Sequence, residues 1–140
     1  MLTTKSNHTY IVWGYRVIGF LYLCSGAWCT FNSTIAAGFL GIIFESSLGL
    51  AEFFSVYGGL QIGIGLAMVL TSNFKHYLEG GLFFAAVLSS GLVFFRYVAL
   101  VFYNQEITMI LMALLESLIV LGLWWFWYLT YSVRLQDESN

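Results

Sequence analysis

Three charged residues, Arg16, Arg96 and Glu116, lie within stretches that are otherwise apolar and long. A charged group inside hydrocarbon costs at least about 2.5–3.5 kcal/mol on insertion scales, so such residues mark candidate functional sites. Arg96 and Glu116 lie about 10 Å and about 14 Å from the ends at which two consecutive apolar stretches meet. In antiparallel helices the two side chains would therefore lie at similar depth. We predict a buried Arg96–Glu116 ion pair, in which each charge neutralises the other.

A second polar group lies in the stretch AEFFSVYGGLQIGIG, residues 51–65. Tyr57 and Gln61 are four residues apart and share one face of a helix, from which both could hydrogen-bond to the ion pair. Glu52 lies near the end of the same stretch, at the rim of the predicted site. The predicted ligand-binding or polar core therefore consists of Glu52, Tyr57, Gln61, Arg96 and Glu116.

This polar core is compatible with several functions. The ion pair can be structural and fix the register of two helices, or it can line a pocket for a lipophilic ligand. In an enzyme, Glu116 would be the acid/base and Arg96 its charge partner or an anion holder. A proton or ion path is a further alternative, although one carboxylate among four helices is sparse for a relay. The sequence has no metal triad, phosphate-binding glycine loop or nucleophile elbow, so we predict no metal and no cofactor.

The composition indicates that lipid surrounds most of the chain. Of the 140 residues, 60% are hydrophobic and 9% are charged, against about 25% charged in a soluble domain. A soluble fold of this size leaves roughly a third or more of its surface facing water and could not hide so much apolar area. The net charge of −2 gives no basic surface for nucleic acid. We predict one integral membrane domain over residues 1–140, with membrane lipids as its partners.

Four apolar stretches reach the length of about 20 residues that a hydrocarbon core of ~30 Å requires. We predict an all-α fold, an antiparallel four-helix bundle in the membrane, with these spans: 10–29, 53–71, 78–103 and 107–131. The segment between the first two spans, TFNSTIAAGFLGIIFESSLGLAE, is apolar but interrupted by Ser, Gly and Glu. This pattern favours an interfacial or re-entrant helix.

The charged residues outside the spans predict the orientation. With four spans, Lys5, Lys75 and Arg134 lie on the side of both termini. The charged residues outside the spans on the opposite side are all acidic. By the positive-inside rule, both termini are cytoplasmic. Arg16, about 9 Å from the inner end of the first span, is expected to extend its side chain to the headgroups there.

Small residues recur every four positions along the second span. Since lipid gives little hydrophobic drive between helices, such stripes are typical of close helix contacts. The stripe could pack within the chain, or it could form the seam of a homo-oligomer. The residues predicted to pack are Ser55, Gly59, Gly63 and Ala67.

The motifs in the last three spans also resemble those of a known family. AEFFSVYGGLQIGIGLA resembles the Glu and Tyr-Gly-Gly segment of a family of small bacterial four-span membrane proteins, a domain of unknown function. GLVFFRYVALVF resembles its third-span Arg segment, and MALLESLIVLGLWW its fourth-span Glu segment. The resemblance covers residues 10–130 and implies the bacterial inner membrane. It implies these signature positions: Glu52, Tyr57, Gly58, Gly59, Arg96 and Glu116.

The family pattern also has a proline after the first span, which this chain lacks. In layout the family is distantly similar to DoxX-like proteins, some of which are subunits of quinone-linked oxidoreductases. We therefore predict a non-enzymatic accessory subunit or lipophilic-ligand binder built around the Arg–Glu pair, alone, as a homo-oligomer or in a larger membrane complex. The alternative is a membrane enzyme or redox subunit that acts on a quinone- or isoprenoid-like lipid, with Glu116 as acid/base.

Overall fold

The protein is all-helical over the part of the chain that the computed structural model describes. This part comprises the backbone of residues 2–103 and 106–138, with the side chains of residues 8–103 and 106–135. No strand occurs in these ranges. We number the helices in chain order: α1 (Leu2–Phe31), α2 (Ser33–Phe39), α3 (Ser47–Thr71), α4 (Lys75–Phe102) and α5 (Ile107–Glu138).

Three of these helices are long and apolar enough to cross a membrane. They are Ser47–Thr71, Lys75–Phe102 and Ile107–Leu135, and they contain nearly all of the predicted second, third and fourth spans. Helix α1 has 30 residues and contains the predicted first span. It is less apolar than the other three, because Arg16 and several tyrosines interrupt its hydrophobic stretch. A four-span bundle therefore stays a prediction.

The chain divides into two compact units. One is Arg16–Leu70, which holds the second half of α1, all of α2 and nearly all of α3. The other combines the described residues of Met1–Tyr15 with those of Thr71–Asn140, and we call it the hairpin unit because α4 and α5 lie against each other in it. Its most buried large side chains are Tyr15, Leu78, Leu82 and Leu123.

Four buried glycines bring α1 and α3 together in the Arg16–Leu70 unit. A Cβ on Gly65 would lie 2.6 Å from the Gly19 carbonyl oxygen, and one on Gly26 would lie 2.9 Å from the Gly58 carbonyl oxygen. Both helices thus carry glycines seven residues apart, which is two helical turns, and the pairs meet in antiparallel register. The absence of side chains at these positions lets the two backbones touch.

Helix α3 is not α-helical throughout, because Phe54–Leu60 is a π-helix. A π-helix closes its hydrogen bonds between residues five apart, is rare, and occurs often at functional sites. The adjacent Gly58 and Gly59 lie within it, and glycine has a weak preference for the regular α-helix. This π-helical segment was not predicted from the sequence.

Helix α2 ends in a Schellman motif built on Gly41. The Ile42 amide donates to the Ala37 carbonyl at 2.8 Å, and the Gly41 amide donates to the Gly38 carbonyl at 3.1 Å. Gly41 has a φ of +72°, the left-handed conformation that glycine adopts without steric cost. This turn redirects the chain towards α3, and Ile42 then packs against a buried cluster that includes Ala37 and Phe53.

We expect Gly41→Ala to lower the free energy of unfolding by about 1–2 kcal/mol, because the left-handed conformation is strained for a residue with a Cβ. Gly38→Ala is the matched control. Gly38 lies inside α2 and also has no atom within 4 Å of an added Cβ, so we expect a gain of about 0.5–1 kcal/mol. Titration with SDS in mixed micelles would measure the free energy of unfolding of both variants. Equal changes in the two variants would contradict a strained conformation at residue 41.

Candidate functional site

Arg96 and Glu116 form a two-point ion pair between α4 and α5. The Nε of Arg96 donates to Oε2 of Glu116 at 2.5 Å, and Nη2 donates to Oε1 at 2.7 Å. This parallel arrangement is the strongest geometry for a guanidinium and a carboxylate. The side chains are 19% and 21% exposed, so the pair is partly buried rather than fully buried as predicted.

Two neutral hydrogen bonds join the same two helices beside the ion pair. The Trp124 indole N–H donates to the Ser90 hydroxyl at 3.0 Å, and the hydroxyls of Tyr97 and Ser117 lie 3.0 Å apart. Ser117 uses its only hydrogen on the Ala113 carbonyl, so Tyr97 is the donor to Ser117. These two hydrogen bonds, which were not among the predicted contacts, fix the rotation of each helix as well as the register between them.

A second ion pair, between Glu79 and Arg134, lies far along the hairpin from the first. The Nη1 of Arg134 lies 3.2 Å from Oε1 of Glu79, and Arg134 is 51% exposed. Arg134 also lies over the ring of Tyr131, 5.3 Å from its centroid. Glu79 was not among the predicted site residues. Its signal was available, because the antiparallel register that pairs Arg96 with Glu116 also pairs Glu79 with Arg134.

The chemistry of the Arg96–Glu116 pair is constrained by its geometry. Both carboxylate oxygens of Glu116 accept a hydrogen bond from Arg96, so the two side chains hold each other in one orientation. A general acid or base instead needs an oxygen that can reach the substrate and exchange a proton. The arrangement is therefore suited to holding two helices in register.

The other predicted core residues lie in the Arg16–Leu70 unit. Tyr57 stacks on Phe53, with ring centroids 4.7 Å apart and planes inclined by 15°. Glu52 is exposed on α3, and Gln61 is partly exposed where the π-helix gives way to α-helix. The predicted hydrogen bonds of Tyr57 and Gln61 to the ion pair stay a prediction.

The predicted packing stripe does not make the close helix contacts of its unit. All four of its residues, Ser55, Gly59, Gly63 and Ala67, are exposed. An added Cβ on Gly63 would meet nothing within 4 Å, and one on Gly59 would meet only a carbonyl of its own helix, at 3.9 Å. The contacts are made by Gly58 and Gly65 instead. Within the Arg16–Leu70 unit a different face of α3 thus makes the close contacts with α1, and the packing role of the stripe, within the chain or as an oligomer seam, stays a prediction.

A groove of about 570 Å³ opens in the Arg16–Leu70 unit, where α1, α2 and α3 come together. Eight described residues line it, and five of them carry a hydroxyl. Part of its wall, Phe54 and Ser55, belongs to the π-helix. This groove was not predicted, because its residues come from three separate helices.

The described residues contain no group of three or more His, Cys, Asp or Glu side chains placed to hold a metal ion. Comparison with known protein families, with characterised proteins and with solved structures finds no match to this chain. The family resemblance therefore stays a prediction that rests on the motifs in the sequence.

Proposed function

We propose that this chain is a small integral membrane protein that binds a lipophilic molecule without transforming it, and that the Arg96–Glu116 pair holds its α4–α5 hairpin in register. The observation that carries this proposal is the two-point ion pair, which uses both oxygens of Glu116. A carboxylate held in this way is a strong link between helices. The proposal therefore assigns no catalytic role to Glu116.

A membrane location is supported by the surfaces of α4 and α5. Large apolar side chains along both helices are strongly exposed, among them Phe95 at 69% and Leu118 at 68%. Water-soluble monomers rarely expose continuous apolar surface of this extent. Lipid chains would cover it, and between its two ends a helix satisfies its own backbone hydrogen bonds, as a hydrocarbon environment requires. On the positive-inside rule, we place both termini in the cytoplasm.

The test is native mass spectrometry of the protein released from lauryldimethylamine oxide micelles. We expect the wild-type protein to retain a lipid-like molecule. We expect the double variant Arg96→Leu/Glu116→Leu to retain the same molecule, because it replaces both charges with apolar side chains of similar size and leaves no unpaired charge.

Two outcomes would contradict the proposal. A wild-type protein that carries no lipophilic molecule, after extraction at several detergent concentrations, would contradict ligand binding. A double variant that is folded by circular dichroism but has lost the molecule would show that the pair itself contacts the ligand. The same spectra report the oligomeric state, and so test whether the protein forms a homo-oligomer.

A further inference from the structure

We propose that the groove in the Arg16–Leu70 unit binds the uncharged, hydroxyl-bearing headgroup of a membrane lipid. This inference rests on the proposed function, since it names the site and the chemical class of the lipophilic ligand. The volume of about 570 Å³ lies within the range of about 300–1,000 Å³ that small-molecule sites occupy. It is large enough for a glycerol or a single sugar together with the first part of its acyl chains.

The polar surface of the groove consists of hydroxyl groups from all three helices. They belong to Thr30, Ser33, Thr34, Ser47 and Ser55. The remaining wall is apolar and includes Leu50 and Phe54. An apolar site with a few convergent polar groups is typical of ligand recognition, because the polar groups orient the ligand and the apolar wall supplies contact area.

Three of the five hydroxyls of the groove offer acceptors rather than donors. Three of them already donate to a carbonyl one turn back: Thr30 to Gly26 at 2.8 Å, Ser33 to Cys29 at 2.8 Å and Ser55 to Ala51 at 2.9 Å. A hydroxyl has one hydrogen and two lone pairs, so after this bond only its lone pairs remain for a ligand. At these three positions a ligand headgroup has to supply the hydrogen, as the hydroxyls of glycerol and sugars do.

The charge of this region disfavours an anionic headgroup. None of the eight described residues that line the groove is charged. The sequence has no Lys or Arg between Arg16 and Lys75, whereas Glu45 and Glu52 lie in this interval. A phosphate in the groove would lose water without gaining a counter-ion and would be repelled by both carboxylates. An uncharged headgroup avoids both costs.

The surroundings of the groove suit the acyl chains of such a lipid. Apolar side chains next to the groove residues in sequence are strongly exposed, including Phe31 at 83% and Leu48 at 69%. The helices that carry the hydroxyls are held together by one buried cluster, to which α1 contributes Cys29, α2 contributes Ala37 and α3 contributes Phe53. The groove is therefore preformed, and acyl chains that leave it would lie along apolar surface.

Four lipids with matched acyl chains test whether the groove selects an uncharged headgroup that donates hydrogen bonds. The detergent is lauryldimethylamine oxide, whose headgroup has no hydrogen-bond donor. Dioleoylglycerol and monoglucosyl-dioleoylglycerol are uncharged and donate. Dioleoylphosphatidylcholine lacks a donor, and dioleoylphosphatidylglycerol has the hydroxyls but is anionic. We expect the glucosyl lipid to be retained in native mass spectra about tenfold or more over the phosphatidylcholine, since several hydrogen bonds are gained.

Removal of three of the acceptors tests the site. The variant Thr30→Val/Ser33→Ala/Ser55→Ala is expected to reduce binding of the glucosyl lipid about tenfold. The matched control is Thr130→Val/Ser132→Ala, which removes two hydroxyls with the same bond to a helix carbonyl, at 2.9 Å and 2.8 Å, in the hairpin unit. It should leave binding unchanged. Should the triple variant not fold, Ala51→Phe decides the test, because it adds bulk inside the groove and is expected to abolish binding.

Several results would overturn the inference. Equal binding of the glucosyl lipid and phosphatidylcholine would contradict a preference for headgroups that donate hydrogen bonds. Strong binding of phosphatidylglycerol would contradict a preference for uncharged headgroups. Unchanged binding in the folded triple variant or in Ala51→Phe would place the ligand elsewhere while leaving the proposed function intact. A wild-type protein that retains no lipophilic molecule at all would contradict the proposed function itself.

Discussion

Glu116→Leu is expected to lower the free energy of unfolding by about 3–5 kcal/mol, because it leaves Arg96 charged and partly buried without its counter-ion. The guanidinium loses both of its hydrogen bonds to Glu116. In lipid it would have to reach the headgroups or remain unpaired, and both alternatives disrupt the α4–α5 contact. SDS titration of the purified protein in mixed micelles would measure the loss.

Glu79→Leu is the matched control for this loss, since it makes the same substitution on the same hairpin. Glu79 and Glu116 are similarly exposed, at 22% and 21%. The partner of Glu79 differs, because Arg134 is 51% exposed and can be solvated when the pair is broken. We expect a cost below about 1 kcal/mol. Equal costs for the two variants would contradict a structural role for the Arg96–Glu116 pair.

The double variant Arg96→Leu/Glu116→Leu completes the cycle. It removes both charges together, and well-packed apolar replacements of an ion pair are often neutral or stabilising. We therefore expect the double variant to recover most of the stability that Glu116→Leu loses. Recovery identifies the loss as the cost of an unpaired charge, whereas separate losses of Arg96→Leu and Glu116→Leu that add in the double variant would mean that the two residues act independently.

The pairing of Arg96 with Glu116 could be predicted because it depends only on how far each residue lies from the connection between its two helices. Two apolar stretches joined by a short connection form antiparallel helices, and counting residues from that connection gives the depth of each charge. The rotation of each helix did not need to be known, since a long arginine side chain can reach a partner over a wide range of angles. The same count would have paired Glu79 with Arg134.

The packing face of α3 could not be predicted in this way, because it depends on rotation. The stripe from Ser55 to Ala67 assumes a regular α-helix, but its first half lies in the π-helix, whose wider turn does not keep residues four apart on one line. In this segment, glycines four residues apart and glycines seven residues apart could each mark the packing face of the helix. The spacing of Gly19 and Gly26 in α1 matches that of Gly58 and Gly65, and this match was the signal in the sequence.

The groove depends on a still less predictable feature, which is the path of the chain between α1 and α3. A single left-handed residue, Gly41, sets the direction in which α2 is connected to α3. Hydroxyl residues from 30–34 and 47–55 come together only after this turn is made. Sequence periodicity describes each helix separately and carries no information on such a meeting point.

Gly65→Ala is expected to lower the free energy of unfolding by about 1–3 kcal/mol, because it overpacks a close contact between the backbones of α1 and α3. The added Cβ would lie 2.6 Å from the Gly19 carbonyl oxygen and 2.8 Å from the Leu23 backbone nitrogen. Both are backbone atoms, so no side-chain rotation can relieve the clash and the helices must separate. The loss would be visible in SDS titration and as a lower apparent Tm.

Gly63→Ala separates this packing effect from the general effect of glycine in a helix. Gly63 lies two residues away in the same α-helical part of α3, and an added Cβ there meets nothing within 4 Å in the described chain. Alanine should therefore stabilise the helix by about 0.5–1 kcal/mol. A loss instead, together with a change in oligomeric state, would mean that a second copy of the chain packs on the stripe. Equal losses for both variants without such a change would contradict the assignment of Gly58 and Gly65 as the contact face.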